Sequence, residues 1–498
     1  MNVKSITYVL GWILKFEGAF LLLPVLISMI YREIQGWAFL FVAVLCATCG
    51  LLLTGRRPKN PAFYAKEGFV ATALSWVVMS VFGCLPFILT GEIPNFIDAL
   101  FETVSGFTTT GASILPAVEH LSHTALVWRS FTHWIGGMGV LVFLLAVLPM
   151  VGGTNMQLMK AESPGPSVSK LVPRVRYTAQ ILYRLYIVLT VLQFVLLLFG
   201  GMSPFEAMCT AFGTAGTGGF GIMNDSMVRY SPYIQWVTTI FMIIFGVNFN
   251  VYFLILMGKF RQAGRCEEMR WYLGIIAVAS LLIFVNIYDA AVSAEANLRA
   301  SVFQVASIIT TTGFATVNFA QWPTFSRVIL LILMFMGACA GSTGGGFKVS
   351  RFMIASKAMT KYLRSFLHPR AINKIRFEEK DVDDETLRSV LIYFFTLIAI
   401  YVISTLLVSL ENNDLVTTIS STLATLSNVG PALGKAGPMS NFAAFSPFSK
   451  AVMIFDMLAG RLELFPLLML LYPPLWKETV QEARRRKRRR EALSGTRG

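Results

Sequence analysis

Charge is what this sequence has least of. Of its 498 residues only 14% are Asp, Glu, Lys or Arg, while 55% are hydrophobic. A soluble globular chain carries about 25% charged residues, so a water-facing fold is excluded. Histidine is scarce as well: the four present, His120, His123, His133 and His368, have no metal-ligand spacing. Nothing resembles a catalytic triad, and the chain is not read as an enzyme. The six cysteines are scattered, mostly within apolar segments, as small buried hydrophobes would be. Cys46 and Cys49 have the spacing of a metal or redox pair but no second pair to complete it. A cleavable signal peptide is not expected, because the N-terminal apolar stretch is too long and no small-residue cleavage pattern follows it.

What fills the space is hydrophobic sequence in long runs. A helical span needs roughly 20 mostly apolar residues. Residues 7–30, 37–53, 69–89, 127–151, 181–200, 235–257, 271–288, 327–349, 390–410 and 448–472 read as such spans. The basic excess is arranged in alternate loops: Arg56, Arg57, Lys59 and Lys66; then Lys160, Lys170, Arg174 and Arg176; then Lys259, Arg261, Arg265 and Arg270; then Lys348 through Lys380. By the positive-inside rule these loops and both termini are cytoplasmic. The tail Arg484–Arg490, basic throughout, is read as a topology anchor or a lipid or partner contact, with no nucleic acid implied.

After an N-terminal helix pair the remaining segments recur in one order: a span, a short segment, a Gly/Thr-rich stretch, and a returning span. The short segments 98–108, 204–214, 298–310 and 414–426 are too short to cross a bilayer and read as re-entrant half-helices. Each ends in a similar stretch: Thr109-Thr110-Gly111, Thr217-Gly218-Gly219, Thr311-Thr312-Gly313 and, most divergent, Asn428-Val429-Gly430. Aligned on Gly111, Gly218, Gly313 and Gly430, the copies stand about one hundred residues apart, too far for a solenoid repeat. They share one in–out sense and so are parallel repeats. The expected fold is an all-α polytopic membrane protein with four span–half-helix–span repeats around a pseudo-fourfold pore plus the N-terminal pair. Its divisions are 1–60, 61–165, 166–268, 269–378, 379–476 and the basic tail 477–498.

This pattern suits a cation. Irregular backbone at membrane depth is tolerated only where it is buried in protein or lines a watery cavity, and rings of carbonyls can replace the hydration shell of potassium. Each half-helix points the negative end of its dipole at the stretch that follows. Asp98, Glu102, Glu206, Glu295 and Asp414 near the outer ends either concentrate cations or cap and complement helix N-termini. Ser203-Pro204 reads as an N-cap and first helical residue. In the third repeat the glycines of Gly341-Ser342-Thr343-Gly344-Gly345-Gly346 break a span in mid-membrane and suggest a gate. Asn248 and Asn250 lie at similar depth and are candidates to touch that loop. Arg461, deep in the last span, is either a barrier in the pore or neutralised by Glu463 or Asp456. Gly216–Gly221 fits GxGxxG and Gly341–Lys348 resembles a P-loop, but neither has the flanking elements that nucleotide binding requires.

The four filter stretches resemble those of the Trk/Ktr/HKT superfamily of potassium transporters over nearly the whole chain. The length and the extra helix pair resemble its bacterial TrkH/TrkG type. The resemblance implies a potassium filter at the four stretches, an intramembrane gating loop at Gly341–Gly346 and a pore arginine at Arg461. It also implies a homodimer in the bacterial inner membrane, gated by a cytoplasmic nucleotide-binding ring of the TrkA type. Potassium is then the transported ion, and no organic cofactor is expected on this chain. A serine at the first filter glycine marks sodium-conducting relatives, and Gly111 stands there. Sodium conduction, or ion-coupled potassium symport on the same scaffold, is the alternative.

Overall fold

A computed structural model describes residues 2–55, 65–139 and 175–477, apart from 369, 371–373 and 379. The second half of the predicted span 127–151, the basic residues at 56–59 and 160–174, and the tail 478–498 lie outside the described residues. The fold is all-α and polytopic, with one addition, a ribbon of β1 (Arg376–Phe377) paired antiparallel with β2 (Lys380–Asp381).

The N-terminal pair is α1 (Val3–Phe20) running into α2 (Leu22–Tyr31), then α3 (Gly36–Thr54). Pro24 in the first turn of α2 has no N–H to give back to α1, and the helix is re-set there. Glu33, in the loop before α3, ties the pair to the first repeat: its carboxylate accepts from the N–H groups of His123 and Thr124 at 2.8 and 2.9 Å. Partial burial alone would raise its pKa, but the Thr124 and His123 donors hold it below the usual carboxylate value.

Repeat 1 contains α4 (Ala65–Thr90), the half-helix α5 (Phe96–Phe107) and α6 (His123–Gly137). Repeat 2 has α7 (Val175–Phe199), the half-helix α8 (Pro204–Ala215), α9 (Pro232–Gly246), α10 (Phe249–Leu256) and the short α11 (Phe260–Arg265). Repeat 3 has α12 (Glu267–Ile287), the half-helix α13 (Ala294–Ile309), α14 (Thr324–Met336) and α15 (Val349–Leu367). Repeat 4 has α16 (Asp384–Val408), the half-helix α17 (Leu415–Leu426), α18 (Pro447–Arg461) and α19 (Phe465–Leu471). Caps start the half-helices: Asn95, Ser203, Ser293 and Asp414 each accept a backbone N–H from the first turn. Ser203 and Glu206 complete a capping box on the predicted Ser203-Pro204 pair.

The repeats close into a ring. The second helix of each packs on the half-helix of the next: α6 on α8, α9 on α13, α14 on α17, and α18 back on α5. This closure is the pseudo-fourfold arrangement expected from the parallel repeats.

The expectation of ten spans, with a break only in repeat 3, is corrected. Among the described residues six helices are long and apolar enough to cross a membrane, counting α1 with α2; they are that pair, α3 and the first helices of the four repeats. The returning helices of repeats 2, 3 and 4 are all broken. In repeat 2, α9 and α10 meet at 90° across Val247 and Asn248. In repeat 3 the chain leaves helix from Gly337 to Lys348, as expected. In repeat 4, Glu463 and Leu464 both take positive φ between α18 and α19. In repeat 1, α6 ends before Gly139, also at positive φ, where the described residues stop.

Candidate ion path

Each half-helix ends in the same hydrogen-bonded motif. The N–H groups of Thr110, Gly218, Thr312 and Val429 reach back five residues to the carbonyls of Ser105, Gly213, Ser307 and Ala424, at 2.8–2.9 Å. This is the long-range bond of a Schellman cap, which needs a left-handed residue just before it. Thr109, Thr217, Thr311 and Asn428 fill that position, with φ of 55°, 53°, 59° and 55°. Asn tolerates this region. A β-branched Thr does not, and each such residue costs of order 1–3 kcal/mol. Three strained threonines, and an asparagine in the same conformation, at equivalent places in four repeats mark a conformation imposed by the ring.

Two residues later the backbone turns left-handed again at Gly111, Gly219, Gly313 and Gly430, with φ of 78°, 74°, 87° and 92°. The repeat-2 member is Gly219, not Gly218 as the sequence alignment placed it; Gly218 is the counterpart of Thr110, Thr312 and Val429. The space a Cβ would need at each glycine is taken by a carbonyl of the following repeat. At Gly111 that is the oxygen of Gly218, at Gly219 that of Thr312, at Gly313 that of Val429, and at Gly430 that of Thr110. The four contacts run once around the ring and close. All four glycines line one cavity of ≈ 140 Å³, which Arg129 and Ser113 also border.

Buried polar side chains brace the ring, and most escape the sequence reading. Glu102, 1% exposed, accepts from Arg129 Nε at 2.8 Å, Ser113 Oγ at 2.9 Å and the Ile114 N–H at 2.9 Å. Arg129 also donates to the Gly221 carbonyl at 3.2 Å, joining the exit of the first stretch to that of the second. Glu102 is therefore a brace and not a lure for cations at the outer surface. The other acidic residues have local partners too: Asp98 meets Lys450 at 2.7 Å, Glu295 pairs with Arg299, and Glu206 and Asp414 cap helices. His133 Nδ1 lies 2.8 Å from the Gly106 carbonyl, and its Nε2 accepts the Phe220 N–H at 3.2 Å. One neutral tautomer satisfies both bonds. Asn428 donates to Thr110 Oγ1 at 3.0 Å and to the Met457 carbonyl at 2.9 Å. Arg129 and His133 inside an apolar run were the available signal for this network.

Beneath the ring lies the glycine loop of repeat 3. Its Gly345 N–H donates to Thr311 Oγ1 at 2.7 Å, and Gly344 packs under the Thr310 carbonyl. The break in repeat 2 receives the loop: Phe249 N–H bonds the Gly341 carbonyl at 3.0 Å, and Cys339 N–H bonds the Gly246 carbonyl at 3.1 Å. Asn248 packs against Gly341, as expected, while Asn250 gives its N–H to the Asn248 side chain. Glu268, at the start of α12, grips both ends of the loop, accepting from Ala340 N–H at 2.6 Å and Ser350 N–H at 3.2 Å. Lys348 turns back on the Gly344 carbonyl. The sequence offered no sign of Glu268.

Arg461 reaches this loop from the opposite side. Its guanidinium donates to the Thr343 carbonyl at 2.8 Å and to the carbonyls of Gly136 and Gly137, the last residues of α6. The two acids considered as its partners are engaged elsewhere: Glu463 with Arg351, and Asp456 with Ser404 Oγ at 2.6 Å. Arg461 thus spans from repeat 4 to the loop of repeat 3 and the helix end of repeat 1. Among the described residues, no group of three or more His, Cys, Asp and Glu side chains is placed to hold a metal ion.

Comparison with known proteins finds similarity over nearly the whole chain. A family model described as TrkH, a cation transport protein, matches residues 37–475. The Trk system potassium uptake protein TrkH of Salmonella typhimurium is 37% identical over 492 residues, covering 96% of this chain and 100% of that protein. The Trk system potassium uptake protein TrkG of Escherichia coli strain K12 is 31% identical over 487 residues, covering 96% and 99%. The crystal structure of the potassium transporter TrkH from Vibrio parahaemolyticus superposes with a TM-score of 0.85 at 32% identity, covering 96% of this chain and 100% of that one.

Proposed function

This chain belongs to the TrkH family of cation transport proteins, and on that premise we propose that it takes up potassium through a channel-like pore. The observation that carries this reading is the closed circuit in which each of Gly111, Gly219, Gly313 and Gly430 makes room for a carbonyl of the next repeat. A potassium ion entering from outside exchanges its hydration waters for carbonyl oxygens of Thr109, Thr110 and Gly111, Thr217, Gly218 and Gly219, Thr311, Thr312 and Gly313, and Asn428, Val429 and Gly430. Four half-helices ending at the ring add the negative ends of their dipoles, which favours a cation and opposes an anion.

Below the filter, Gly341–Gly346 is the gate and Arg461 its electrostatic latch. With the loop bonded to Thr311, Phe249 and Arg461, a positive guanidinium stands on the ion's way out. Opening requires the loop to move and Arg461 to give up the Thr343 carbonyl. The force comes from a cytoplasmic regulatory ring of the TrkA type acting on a homodimer. The protein lies in the bacterial inner membrane with both termini in the cytoplasm.

Expression in a potassium-uptake-deficient bacterium, together with the regulatory partner, tests the function. Rescue of growth at low potassium is expected, and no rescue by correctly inserted protein would overturn it. In liposomes rubidium is expected to pass far better than sodium, with no requirement for a proton or sodium gradient. Comparable sodium flux, or flux that depends on such a gradient, would favour the sodium-conducting or symport alternative.

A further inference from the structure

In repeat 3, α12 and α14 leave a groove of ≈ 770 Å³ between them on an exposed apolar face. It follows from the gate: α14 stops at Met336, where the chain turns into the loop, while α12 continues to Glu267. The inner turns of α12 therefore lose their neighbour. Trp271, Gly274, Val278, Ile332 and Met336 line the groove, and Arg270 stands at its mouth.

Gly274 makes the groove deep. A Cβ built there meets nothing within 4 Å, so close packing does not require the glycine, and it lies within α12, not at a turn. Glycine in mid-helix is unfavourable, yet here it keeps the groove open. The walls are apolar and exposed, with Val278 at 60% and Ile332 at 55%. The mouth holds Arg270, which donates to the Arg265 carbonyl at 3.2 Å, and Lys259, Arg261 and Arg265, all exposed, precede it in one short stretch of chain. Glu267, the acid beside them, is held by Lys357. Trp271, 46% exposed, sits between the charged mouth and the apolar walls, where tryptophan anchors at a membrane interface.

We propose that this groove is a binding site for an anionic phospholipid, with one acyl chain along Gly274 and Val278 and the phosphate headgroup at Arg270. The chain gains little over bulk lipid, because both surroundings are equally apolar. Selection therefore comes from the headgroup: the cluster attracts a net negative lipid and gives a zwitterionic one no such advantage. The inner end of the groove touches Met336, and the next residue, Gly337 at φ 74°, begins the gate loop. A lipid in the groove buttresses the end of α14 from which the loop springs. Binding itself does not rest on the pore reading; an effect on flux would.

The test is quenching of tryptophan fluorescence by lipids with brominated chains, using the full-length protein in phosphatidylcholine liposomes. Subtracting a Trp271→Phe variant isolates Trp271 from the other tryptophans. Brominated phosphatidylglycerol is expected to quench Trp271 at about fivefold lower mole fraction than brominated phosphatidylcholine, the factor one basic interfacial residue supplies. Gly274→Leu, which fills open space, and Arg270→Gln, which alters no packing, should each abolish that preference. Equal quenching by the two lipids in the wild type, or a preference that survives Gly274→Leu, would overturn the proposal. So would Trp271 shielded from both lipids, together with a Gly274→Leu variant that runs at lower mass, because a second copy would then fill the groove.

Discussion

The ring and the layer beneath it are built on opposite rules. In the ring, four stretches of similar sequence adopt one geometry: Thr109, Thr217, Thr311 and Asn428 share a left-handed φ within 53–59°, and four glycines repeat one cross-repeat contact. In the layer below, the returning helices of repeats 2, 3 and 4 are each interrupted by a different device. Repeat 2 bends by 90°, repeat 3 opens into a loop, and repeat 4 turns on Glu463 and Leu464. Symmetry holds where we propose that the ion is chosen, and it is broken where we propose that the path is shut. Four equal contributors suit a spherical ion, whereas a gate needs one element able to move against three that do not.

The comparison can be broken from the upper side by removing a brace. Arg129→Met leaves the Glu102 carboxylate buried without its charge partner, which is expected to cost about 3–5 kcal/mol of stability. Thermal unfolding of the detergent-solubilised protein measures it; a loss under about 1 kcal/mol, the worth of an exposed pair, would mean that Glu102 does not depend on Arg129. The lower side is tested by deleting Gly344–Gly346, which removes the contacts to Thr311 and Lys348. Basal rubidium flux without the partner should rise about tenfold, equivalent to about 1.4 kcal/mol off the barrier. Unchanged flux in folded protein would count against the gate. Arg461→Ala should move flux the same way by a smaller factor, and a loss of folded protein with no gain in flux would instead assign Arg461 to holding α6, α18 and the loop together.

The smallest effect is expected at the outer rim. Hydrogen bonds from Thr417 hold the Asp414 carboxyl below the usual range. A depressed folded-state pKa contributes stability above the unfolded value, and that contribution is lost as pH falls through the folded value. Asp414→Ala should cost about 1 kcal/mol at neutral pH, as loss of an N-cap does. The deficit should vanish in acid, and a pH-independent deficit would show that the charge plays no part.

Much of this arrangement is legible in the sequence because it is local. Short apolar segments, cap residues and a Gly/Thr-rich stretch after each half-helix identify the repeats, and the glycines of Gly341–Gly346 identify the loop. What escapes is set by contacts between repeats. Gly216, Gly218 and Gly219 offer the second repeat several alignments, and only the five-residue hydrogen bond to Gly213 fixes Gly219 as the ring position. The bend in repeat 2 carries no glycine run; Asn248 restarts the helix by capping α10. Glu102 and Arg129 lie 27 residues apart, and only the packing of α6 on α5 brings them together. Glu268 looks like an ordinary first-turn acid until the loop folds over it.

Rubidium and sodium flux into liposomes, compared across wild type and Gly111→Ser, Gly219→Ser, Gly313→Ser and Gly430→Ser, tests the central claim most directly. Every added side chain must push aside a carbonyl of the next repeat and adopt a left-handed φ, a disturbance of about 1–3 kcal/mol. Wild type should favour rubidium strongly, and each of the four variants should lose about tenfold or more of that preference. Four folded variants that keep the wild-type ratio would contradict the account.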